Sequence, residues 1–340
     1  MAKVSEFGVC LQNLSAKDFI TNARLAEELG FGTFWVPEDY FYRGAFALAA
    51  AIASHTTSLK VGIGVLNPYT RHPLLTAMEL AALDDVSNGR ALLGIGASVP
   101  LWIEQQLKIP YTKPTRAIRE SVELIRHIFR GETVNYQGRV FQSADARFHF
   151  HPTRVNVPIH LGVMGPKKLE LAGEIADGVL LGALTSPAYV RYAVEQVYRG
   201  AARARRKLDG FAIGAFLAIS IAEDEQEARE AIKPLVAGMI ALMGNYPNHP
   251  IFSCGGLLPE QVQDFGAAFA RGDIPGAVAL VTEEMVDTLA IAGSPERCRE
   301  GLAQVIEAGV TAPIAFEVPG VNPEKTIRDV HTHLMPYFLR

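Results

Sequence analysis

The chain has 340 residues, of which 49% are hydrophobic, and its formal net charge is −4. The charge is balanced and long runs of Lys and Arg are absent from the sequence, which argues against a nucleic-acid-binding protein. No apolar segment of the sequence reaches the length of about 18 residues that a membrane span requires. Glu6 interrupts the N-terminal segment where a signal peptide needs an apolar core. We therefore expect a cytoplasmic protein without a membrane or nucleic-acid partner.

The cysteine and histidine positions do not indicate a disulfide framework or a metal site. Cys10, Cys254 and Cys298 are far apart and form no C-x-x-C pair. His149 and His151 would share a face only on a strand, and no carboxylate or further histidine with ligand spacing accompanies them. We therefore expect no metal.

The first hundred residues alternate between short apolar segments and helical patterns. Strands are predicted at residues 3–11, 32–39, 59–66 and 90–98. In the first helix, Ser15 fits the N-cap, Asp18 lies in the first turn, and Gly30 follows the last periodic residue. Short apolar strands that alternate with helices are typical of parallel strands covered on both faces.

The alternation resumes after an irregular middle region. Residues 115–131 predict an amphipathic helix, and alternating polar and apolar residues around Gly138 predict a hairpin-like insertion at about 132–155. Four further strands are predicted at residues 158–165, 177–184, 211–222 and 311–320. The helical stretch from Asp224 to about Glu284 is interrupted by Gly and Pro, so we expect a second insertion at about 244–288.

Eight strands separated by helices predict one α/β domain over residues 1–340, folded as a (β/α)8 TIM barrel with two insertions. The length permits this fold, because such barrels routinely reach about 250 residues or more as one domain. A doubly wound open sheet is the alternative. It would more naturally show a glycine fingerprint after the first strand, and the segment VCLQNLS contains none.

In a TIM barrel the active site lies at the carboxyl ends of the strands. Small residues occupy the ends of four neighbouring strands in this sequence, namely Gly64, Gly96, Ala97, Gly165, Gly182 and Ala183. Glycine allows a flat ligand or a phosphate to approach the backbone. A role in shaping the turns is the alternative for each glycine taken singly.

The segment MGPKKLELAG opens a helix at Gly165 and Pro166. Free N–H groups at a helix start bind anions, and lysines at positions 167 and 168 oppose the helix dipole unless an anion is bound. The segment therefore predicts a phosphate site near the fifth and sixth strands. A solvated turn with both lysines facing water is the alternative.

Three stretches of the sequence resemble the bacterial luciferase-like superfamily: residues 67–98, 164–181 and 291–309. The run NPYTRHP, residues 67–73, is specific to its deazaflavin-dependent branch, which includes methylenetetrahydromethanopterin reductase, and the other two stretches are typical of the superfamily. The resemblance covers essentially the whole chain. It implies coenzyme F420 as the cofactor and a homodimer as the assembly.

The same resemblance implies where the coenzyme binds. Members of the branch carry a bulge with a non-prolyl cis peptide at the end of the third strand, against the deazaflavin ring, and Gly64-Val65 falls at the matching point. An ordinary β-bulge is the alternative. The residues implied to bind the coenzyme are Asp39, Gly64, Val65, Leu66, Asn67, Gly96, Ala97, Val163, Met164, Gly165, Gly182 and Ala183.

Two residues beside the bulge are interpreted separately. Arg71 is a candidate partner for a phosphate or for the acidic tail of the coenzyme, with a solvated arginine as the alternative. His72 precedes Pro73, and we interpret it as a residue of the helix start rather than as a catalyst.

The sequence departs from the family pattern at three positions that carry acid or base groups in relatives. Tyr40 stands where many relatives have histidine, and Cys10 stands where the reductase has a glutamate at the end of the first strand. An acidic residue expected shortly after the fourth strand is also missing, since Ser98 and Val99 occupy that stretch. We therefore expect a substrate other than methylenetetrahydromethanopterin.

These departures leave three candidates for catalysis at the end of the second strand. Tyr40 has an ordinary pKa of about 10 and would act mainly as a proton donor, with a role in lining an apolar pocket as the alternative. Asp39 and Glu38 are the carboxylate candidates, and Glu38 is the weaker because a position against the barrel wall is its alternative.

Together the motifs predict a coenzyme F420-dependent oxidoreductase that transfers a hydride between the deazaflavin and a small organic substrate. An FMN-dependent luciferase-like monooxygenase, which uses dioxygen, is the first alternative. A flavin-binding barrel without catalysis is the second.

Overall fold

The computed structural model describes residues 3–339, and all eight predicted strands form. The strands of the whole structure are β1 (Gly8–Cys10), β2 (Thr33–Val36), β3 (Lys60–Leu66), β4 (Ala91–Ile95), β5 (Val134–Gln137), β6 (Gln142–Ala146), β7 (Ile159–Gly162), β8 (Gly178–Leu181), β9 (Ala212–Ile221), β10 (Ile291–Gly293) and β11 (Ala312–Phe316). Eight of them pair in the order β1-β2-β3-β4-β7-β8-β9-β11, and β11 pairs with β1. All of these pairs are parallel. The predicted (β/α)8 barrel is therefore confirmed.

Helices surround the barrel and connect its strands. They are α1 (Ala16–Glu28), α2 (Ala45–His55), α3 (Pro73–Val86), α4 (Pro114–Phe129), α5 (Pro166–Ile175), α6 (Pro187–Arg203), α7 (Glu225–Leu242), α8 (Pro250–Cys254), α9 (Pro259–Ala270), α10 (Ile274–Ala279), α11 (Glu283–Leu289), α12 (Pro295–Glu307), α13 (Pro323–His333) and α14 (Met335–Phe338). Many begin with proline, whose missing N–H is not needed in the first turn. Ser15 caps α1 as predicted, through a hydrogen bond from the Asp18 N–H to its hydroxyl (3.1 Å).

The strands alternate between residues that face the helices and residues that fill the barrel. Phe34 of β2 meets Phe19 of α1 edge to face, with ring centroids 6.4 Å apart. The next residue, Trp35, faces the other way and meets His160 of β7, with ring centroids 5.6 Å apart. A Cβ added to Gly64 of β3 would lie 2.8 Å from Cε3 of Trp35. Glycine on β3 therefore leaves room for the tryptophan that fills the barrel.

The first insertion is the predicted hairpin. β5 and β6 pair antiparallel within it. Glu120 of α4 is completely buried, and its carboxylate accepts three backbone N–H groups of residues 139–141 at 2.8–3.0 Å. A buried carboxylate is tolerated only when its oxygens are hydrogen-bonded in this way, so Glu120 fixes the turn of the hairpin.

The second insertion divides into short helices. As predicted, the helical stretch that begins at Asp224 is interrupted. It forms α7, whose first N–H groups are capped by that aspartate, and then α8, α9, α10 and α11. Two elements were not predicted: the strand β10, which pairs with the end of β9, and a π-helical turn at Leu101–Gln106. Both are too short for a periodic pattern to be visible in the sequence.

Two further findings concern the chain as far as the structure describes it. None of the helices between residues 3 and 339 has the length and apolar character needed to cross a membrane. In the same stretch, no three or more His, Cys, Asp and Glu side chains are grouped so that they could hold a metal ion.

Candidate active site

A bulge at the end of β3 places the side chain of Val65 against glycine residues of the neighbouring strands. The β3–β4 register shifts between Ile63 and Leu66, and the peptide bond between Gly64 and Val65 is cis. A Cβ on Gly94 would lie 3.0 Å from Cγ1 of Val65, and a Cβ on Gly96 would lie 2.9 Å from its Cγ2. Both distances are too short for a side chain, so glycine on β4 is what allows the bulge to turn Val65 inward.

The same valine also covers the end of the next strand. A Cβ on Gly162 of β7 would overlap Cγ1 of Val65. Gly96 of β4 was expected to leave space for a ligand, and the structure fills the space at Gly96, and at Gly162 of β7, with Val65 instead. The valine therefore forms a smooth apolar wall that these two strands support from behind. We call Val65, Gly94, Gly96 and Gly162 the valine wall.

The ends of β7 and β8 continue this wall with small and apolar residues. Val163 and Ala183 are buried. The Tyr189 hydroxyl of α6 donates a hydrogen bond to the backbone carbonyl of Met164 (2.6 Å), and a Cβ on Gly182 would lie 3.0 Å from the Met164 sulfur. Met164 is therefore held by its backbone, while its side chain rests on the glycine of the neighbouring strand.

The start of α5 carries the features of an anion site. Gly165 is the N-cap, and Pro166 in the first turn has no N–H. The Lys168 N–H donates to the Gly165 carbonyl (3.0 Å), which leaves the Lys167 N–H as a donor for an anion. Lys168 is half-buried, whereas Lys167 is exposed. Burial lowers the pKa of the Lys168 ammonium, and a bound anion would offset that effect.

His249 of the second insertion lies at the same place and was not predicted from the sequence. Its Nε2 is 3.8 Å from the position that a Cβ on Gly165 would occupy. The Nδ1 atom accepts the Ile251 N–H (3.2 Å), which assigns the proton of the neutral ring to Nε2. Burial, and then the charge of Lys168, lower the pKa of His249 to about 4. The neutral ring therefore presents an N–H donor beside the start of α5.

A signal for His249 exists in the sequence. His72 also precedes a proline at a helix start, and its Nδ1 accepts the Leu74 N–H (3.2 Å). The interpretation of His72 as a helix-start residue is thus confirmed. The pair His249-Pro250 repeats the pair His72-Pro73 and caps α8 in the same way.

The opposite side of the barrel mouth, at the ends of β1, β2 and β11, is polar and titratable. The Gln12 side chain donates a hydrogen bond from Nε2 to Oδ2 of Asp39 (2.7 Å), and its backbone N–H donates to Oε2 of Glu317. Burial, with the charge of Glu38, raises the pKa of Asp39, and burial raises the pKa of Glu317. We call Cys10, Gln12, Asp39 and Glu317 the carboxyl cluster.

Glu317 is not among the residues predicted from the sequence. It follows the last residue of β11 directly, and its backbone N–H donates to the Cys10 carbonyl (3.0 Å). The available signal was a glutamate immediately after the buried run of the eighth predicted strand, in the position where a TIM barrel carries its functional groups.

Tyr40 lies between these two sides of the mouth. Its hydroxyl oxygen accepts a hydrogen bond from Nδ2 of Asn67, and its ring is 5.6 Å from that of Trp102 in the π-helical turn. Asn67 is buried, and its Oδ1 accepts the backbone N–H groups of Tyr69 (2.8 Å) and Thr70 (3.0 Å). Burial raises the pKa of Tyr40, so the hydroxyl remains protonated at neutral pH.

Glu38 is engaged in holding the fold. Its Oε2 accepts the Ala45 N–H at the start of α2 (2.9 Å), and its Oε1 is 3.8 Å from Nη1 of Arg71. Arg71 also pairs with Glu79 (3.1 Å) and lies over the Phe46 ring. The structure therefore keeps Glu38 with the rim of the barrel, and Arg71 binds two carboxylates of the chain itself.

Comparison with known proteins identifies the family of the chain. Residues 6–312 match the family described as luciferase-like monooxygenase. The 5,10-methylenetetrahydromethanopterin reductase of Archaeoglobus fulgidus is 34% identical over 317 residues, which cover 92% of this chain and 93% of that protein. The corresponding reductase of Methanopyrus kandleri is 34% identical over 334 residues, with 93% of both chains covered.

A solved structure matches over almost the entire chain. The coenzyme F420-dependent tetrahydromethanopterin reductase from Methanopyrus kandleri superposes with a TM-score of 0.89 at 30% identity, covering 99% of this chain and 100% of that chain. The barrel, the match over residues 6–312 and the similarity to these reductases agree. The chain belongs to the luciferase-like monooxygenase family.

Proposed function

We propose that this protein is a coenzyme F420-dependent oxidoreductase that transfers a hydride between the deazaflavin and a small organic substrate. The observation that carries the proposal is the division of the barrel mouth into an apolar wall, an anion site and a carboxyl cluster. The 30% identity to a coenzyme F420-dependent reductase over 99% of this chain supports the choice of coenzyme.

The side chains at the mouth fit a deazaflavin coenzyme. Val65 offers a flat apolar surface for one face of the ring. The Lys167 N–H at the start of α5, the Lys168 ammonium and Nε2 of His249 offer donors and a positive charge for a phosphate. The Ser98 Oγ is buried and has no hydrogen-bond partner within residues 3–339, so it is available to a polar atom of the ring.

The coenzyme supplies the hydride chemistry, and the chain supplies binding, orientation and proton transfer. Val65 would cover one face of the bound ring, and the other face would be open to the substrate. Tyr40 holds a proton on its hydroxyl and orients the substrate through it, while Asn67 fixes the position of that hydroxyl. Asp39 belongs to the carboxyl cluster and contributes charge next to the reacting atoms. A substrate with a carbon–nitrogen or carbon–oxygen double bond matches these groups.

The assembly that we propose is a homodimer formed through α3. Leu75, Met78 and Val86 are about half exposed on this helix (49–51%), and their spacing places them on one face. Exposed apolar side chains that share a face mark an association surface. Light scattering of the wild-type protein should give the dimer mass, and Met78→Glu should shift it toward the monomer.

We also propose the cytoplasm as the compartment. Cys10, Cys254 and Cys298 are free thiols in the described chain, and a reducing compartment keeps thiols in that state.

The test of the proposed function is a binding titration followed by turnover. The stripped protein is titrated with oxidised F420 and, in parallel, with FMN. We expect F420 to bind at micromolar concentration or below and FMN to bind at least about 10-fold more weakly, a difference of roughly 1.4 kcal/mol.

Reduced F420 is then mixed with methylenetetrahydromethanopterin, an enone, an aldehyde and an imine, and oxidised F420 with a secondary alcohol. Preferential binding of FMN would overturn the coenzyme assignment, and tight F420 binding without turnover of any compound would favour a binding protein.

A further inference from the structure

Glu317 extends the pairing of β1 and β11 with its side chain. The β1–β11 ladder pairs Cys10 with Phe316, and the Glu317 N–H then donates to the Cys10 carbonyl (3.0 Å). In a regular parallel ladder, the next N–H along β1 would donate to a backbone carbonyl of the partner strand. Here the Gln12 N–H donates to the Glu317 carboxylate instead. The carboxyl group is therefore held at the barrel mouth by one backbone hydrogen bond.

The surroundings of this carboxyl group favour its protonated form. Its titratable neighbour is Cys10 on β1, which also lies near Asp39, and Glu38 lies beside Asp39. Neither Glu317 nor Asp39 forms an ion pair with a lysine, arginine or histidine within residues 3–339. A half-buried carboxyl group without a cation partner ionises less easily than one in water. Burial also raises the pKa of Glu317.

Between the two carboxyl groups, Glu317 takes the proton more readily. A glutamic acid has a higher ordinary pKa than an aspartic acid. Each carboxyl group accepts one hydrogen bond from Gln12, and burial raises the pKa of Glu317 although the bond from the Gln12 N–H opposes that shift. The Oε1 atom of Glu317 makes no hydrogen bond to the rest of the described chain. A proton on that oxygen is thus free to be passed on.

We infer that Glu317 is the catalytic acid of the hydride transfer, a role that rests on the proposed function. In the reductive direction, the substrate carbon receives the hydride with its two electrons, and the π electrons of the double bond move to the nitrogen or oxygen. That atom takes the proton of the Glu317 carboxyl as the O–H bond breaks. The carboxylate then regains a proton from water. In the oxidative direction the carboxylate accepts the same proton.

Cys10 pairs with Phe316 of the neighbouring strand, the residue before Glu317. Cys10 stands where the resemblance to the reductase places a glutamate, so Glu317 returns a carboxyl group to the same region from the neighbouring strand. The buried thiol has a pKa raised well above its ordinary value by burial and by the charges of Asp39 and Glu317. The Cys10 thiol therefore stays neutral and packs next to the carboxyl group.

The first arm of the test needs no substrate. Infrared titration of the coenzyme-free protein follows the C=O stretch of protonated carboxyl groups between pH 4 and 9. We expect a band that disappears only above the ordinary pKa of glutamate and that is absent from Glu317→Gln. The glutamine still accepts the Gln12 N–H, so circular dichroism should stay unchanged. A spectrum in which Glu317→Gln removes no such band would overturn the inference.

The second arm uses the compound of the substrate panel that reacts fastest. Removing a general acid lowers the rate by about 100-fold or more, so Glu317→Gln should lower kcat to that extent while KM and the F420 dissociation constant change less than about threefold. Glu317→Asp should recover part of the rate with a shifted pH profile. Glu6→Gln, at the opposite end of the barrel beside Lys60, is the matched control and should behave as wild type.

The two arms separate this inference from the proposed function. Wild-type protein that binds F420 but turns over no compound of the panel contradicts the proposed function, while the infrared arm still decides whether Glu317 holds the proton. Turnover by Glu317→Gln within about threefold of wild type contradicts the inference and leaves the proposed function intact.

Discussion

One side of the barrel mouth is apolar and the other side carries ionisable side chains. On the side of β3, β4 and β7, the valine wall consists of Val65 and the glycines that it covers. On the side of β1, β2 and β11, the carboxyl cluster joins Asp39 and Glu317 through hydrogen bonds from Gln12. The wall lacks ionisable groups and the cluster is rich in them. A coenzyme that carries electrons on a flat ring needs the first surface, and a substrate that gains or loses a proton needs the second.

This difference separates binding from chemistry. A change in the valine wall or the anion site should weaken coenzyme binding, and a change in the carboxyl cluster or Tyr40 should slow turnover. Results that cross over between these two classes would break the comparison.

The largest effect is expected from Gly96→Val. The added Cβ would lie 2.8 Å from the Gly162 carbonyl and 2.9 Å from Cγ2 of Val65, so the wall must move. Overpacking of this kind costs about 1–3 kcal/mol, and we expect a loss of about 100-fold in F420 affinity, or roughly 2.7 kcal/mol. Fluorescence titration with F420 measures it. Gly44→Ala is the control, because its Cβ would meet nothing within 4 Å; an affinity for Gly96→Val within threefold of wild type would contradict the role of the wall.

The next effect is expected from Tyr40→Phe. The change removes the hydroxyl and leaves the ring beside Trp102, so the pocket keeps its shape. We expect kcat to fall by about 10- to 30-fold, or roughly 1.4–2 kcal/mol, because a hydrogen bond that orients the substrate is lost, with little change in coenzyme affinity. Tyr198→Phe, on the exposed surface of α6, should leave kcat unchanged. If Tyr40→Phe instead weakens F420 binding at constant kcat, the tyrosine belongs to the binding side.

A smaller effect is expected at the start of α5. Lys168→Gln removes the half-buried charge, and a charge-assisted hydrogen bond contributes about 1.5–3 kcal/mol, so the F420 dissociation constant should rise by about 10-fold or more. The dependence of that constant on salt should also decrease. Lys167→Gln changes the neighbouring exposed lysine and should alter the constant less than about twofold. Equal effects of the two variants would place the phosphate elsewhere.

The smallest effect is on stability, and its sign differs between the two sides. The pKa of His249 is lowered from 6.5 to about 4 in the folded chain. As the pH falls through this interval, His249 is protonated in the unfolded chain but not in the folded chain, so the free energy of unfolding decreases. The pKa of Glu317 is raised in the folded chain. As the pH rises above the ordinary pKa of glutamate, Glu317 loses its proton in the unfolded chain first, so the free energy of unfolding decreases there as well. Melting temperatures between pH 4 and 9 should show that His249→Gln flattens the acid side and that Glu317→Gln raises stability at neutral pH. The reverse pattern would contradict both assignments.

Much of the fold was predictable because its signals are local. Each barrel strand is a short apolar run between turn residues, and helix starts carry Ser, Asp or Pro. The hairpin was visible around Gly138 for the same reason. β10 and the π-helical turn were missed, because a three-residue strand and a single irregular turn have no period to detect.

The site was less predictable because it depends on contacts between distant residues. The bulge position at Gly64-Val65 follows from the resemblance, but the sequence alone does not reveal that Val65 packs on Gly94, Gly96 and Gly162. His249 reaches the start of α5 from an insertion 84 residues away. Glu317 is more than 300 residues from Gln12, and only closure of the barrel brings them together.

A crystal structure of the complex with oxidised F420 tests the central claim most directly. We predict that one ring face contacts Val65, that the phosphate lies within hydrogen-bond distance of Lys168 or His249, and that the open ring face is turned toward Tyr40 and Glu317. A ring bound away from Val65, or a phosphate located on the side of the carboxyl cluster, would contradict the division of the mouth into a binding side and a proton-transfer side.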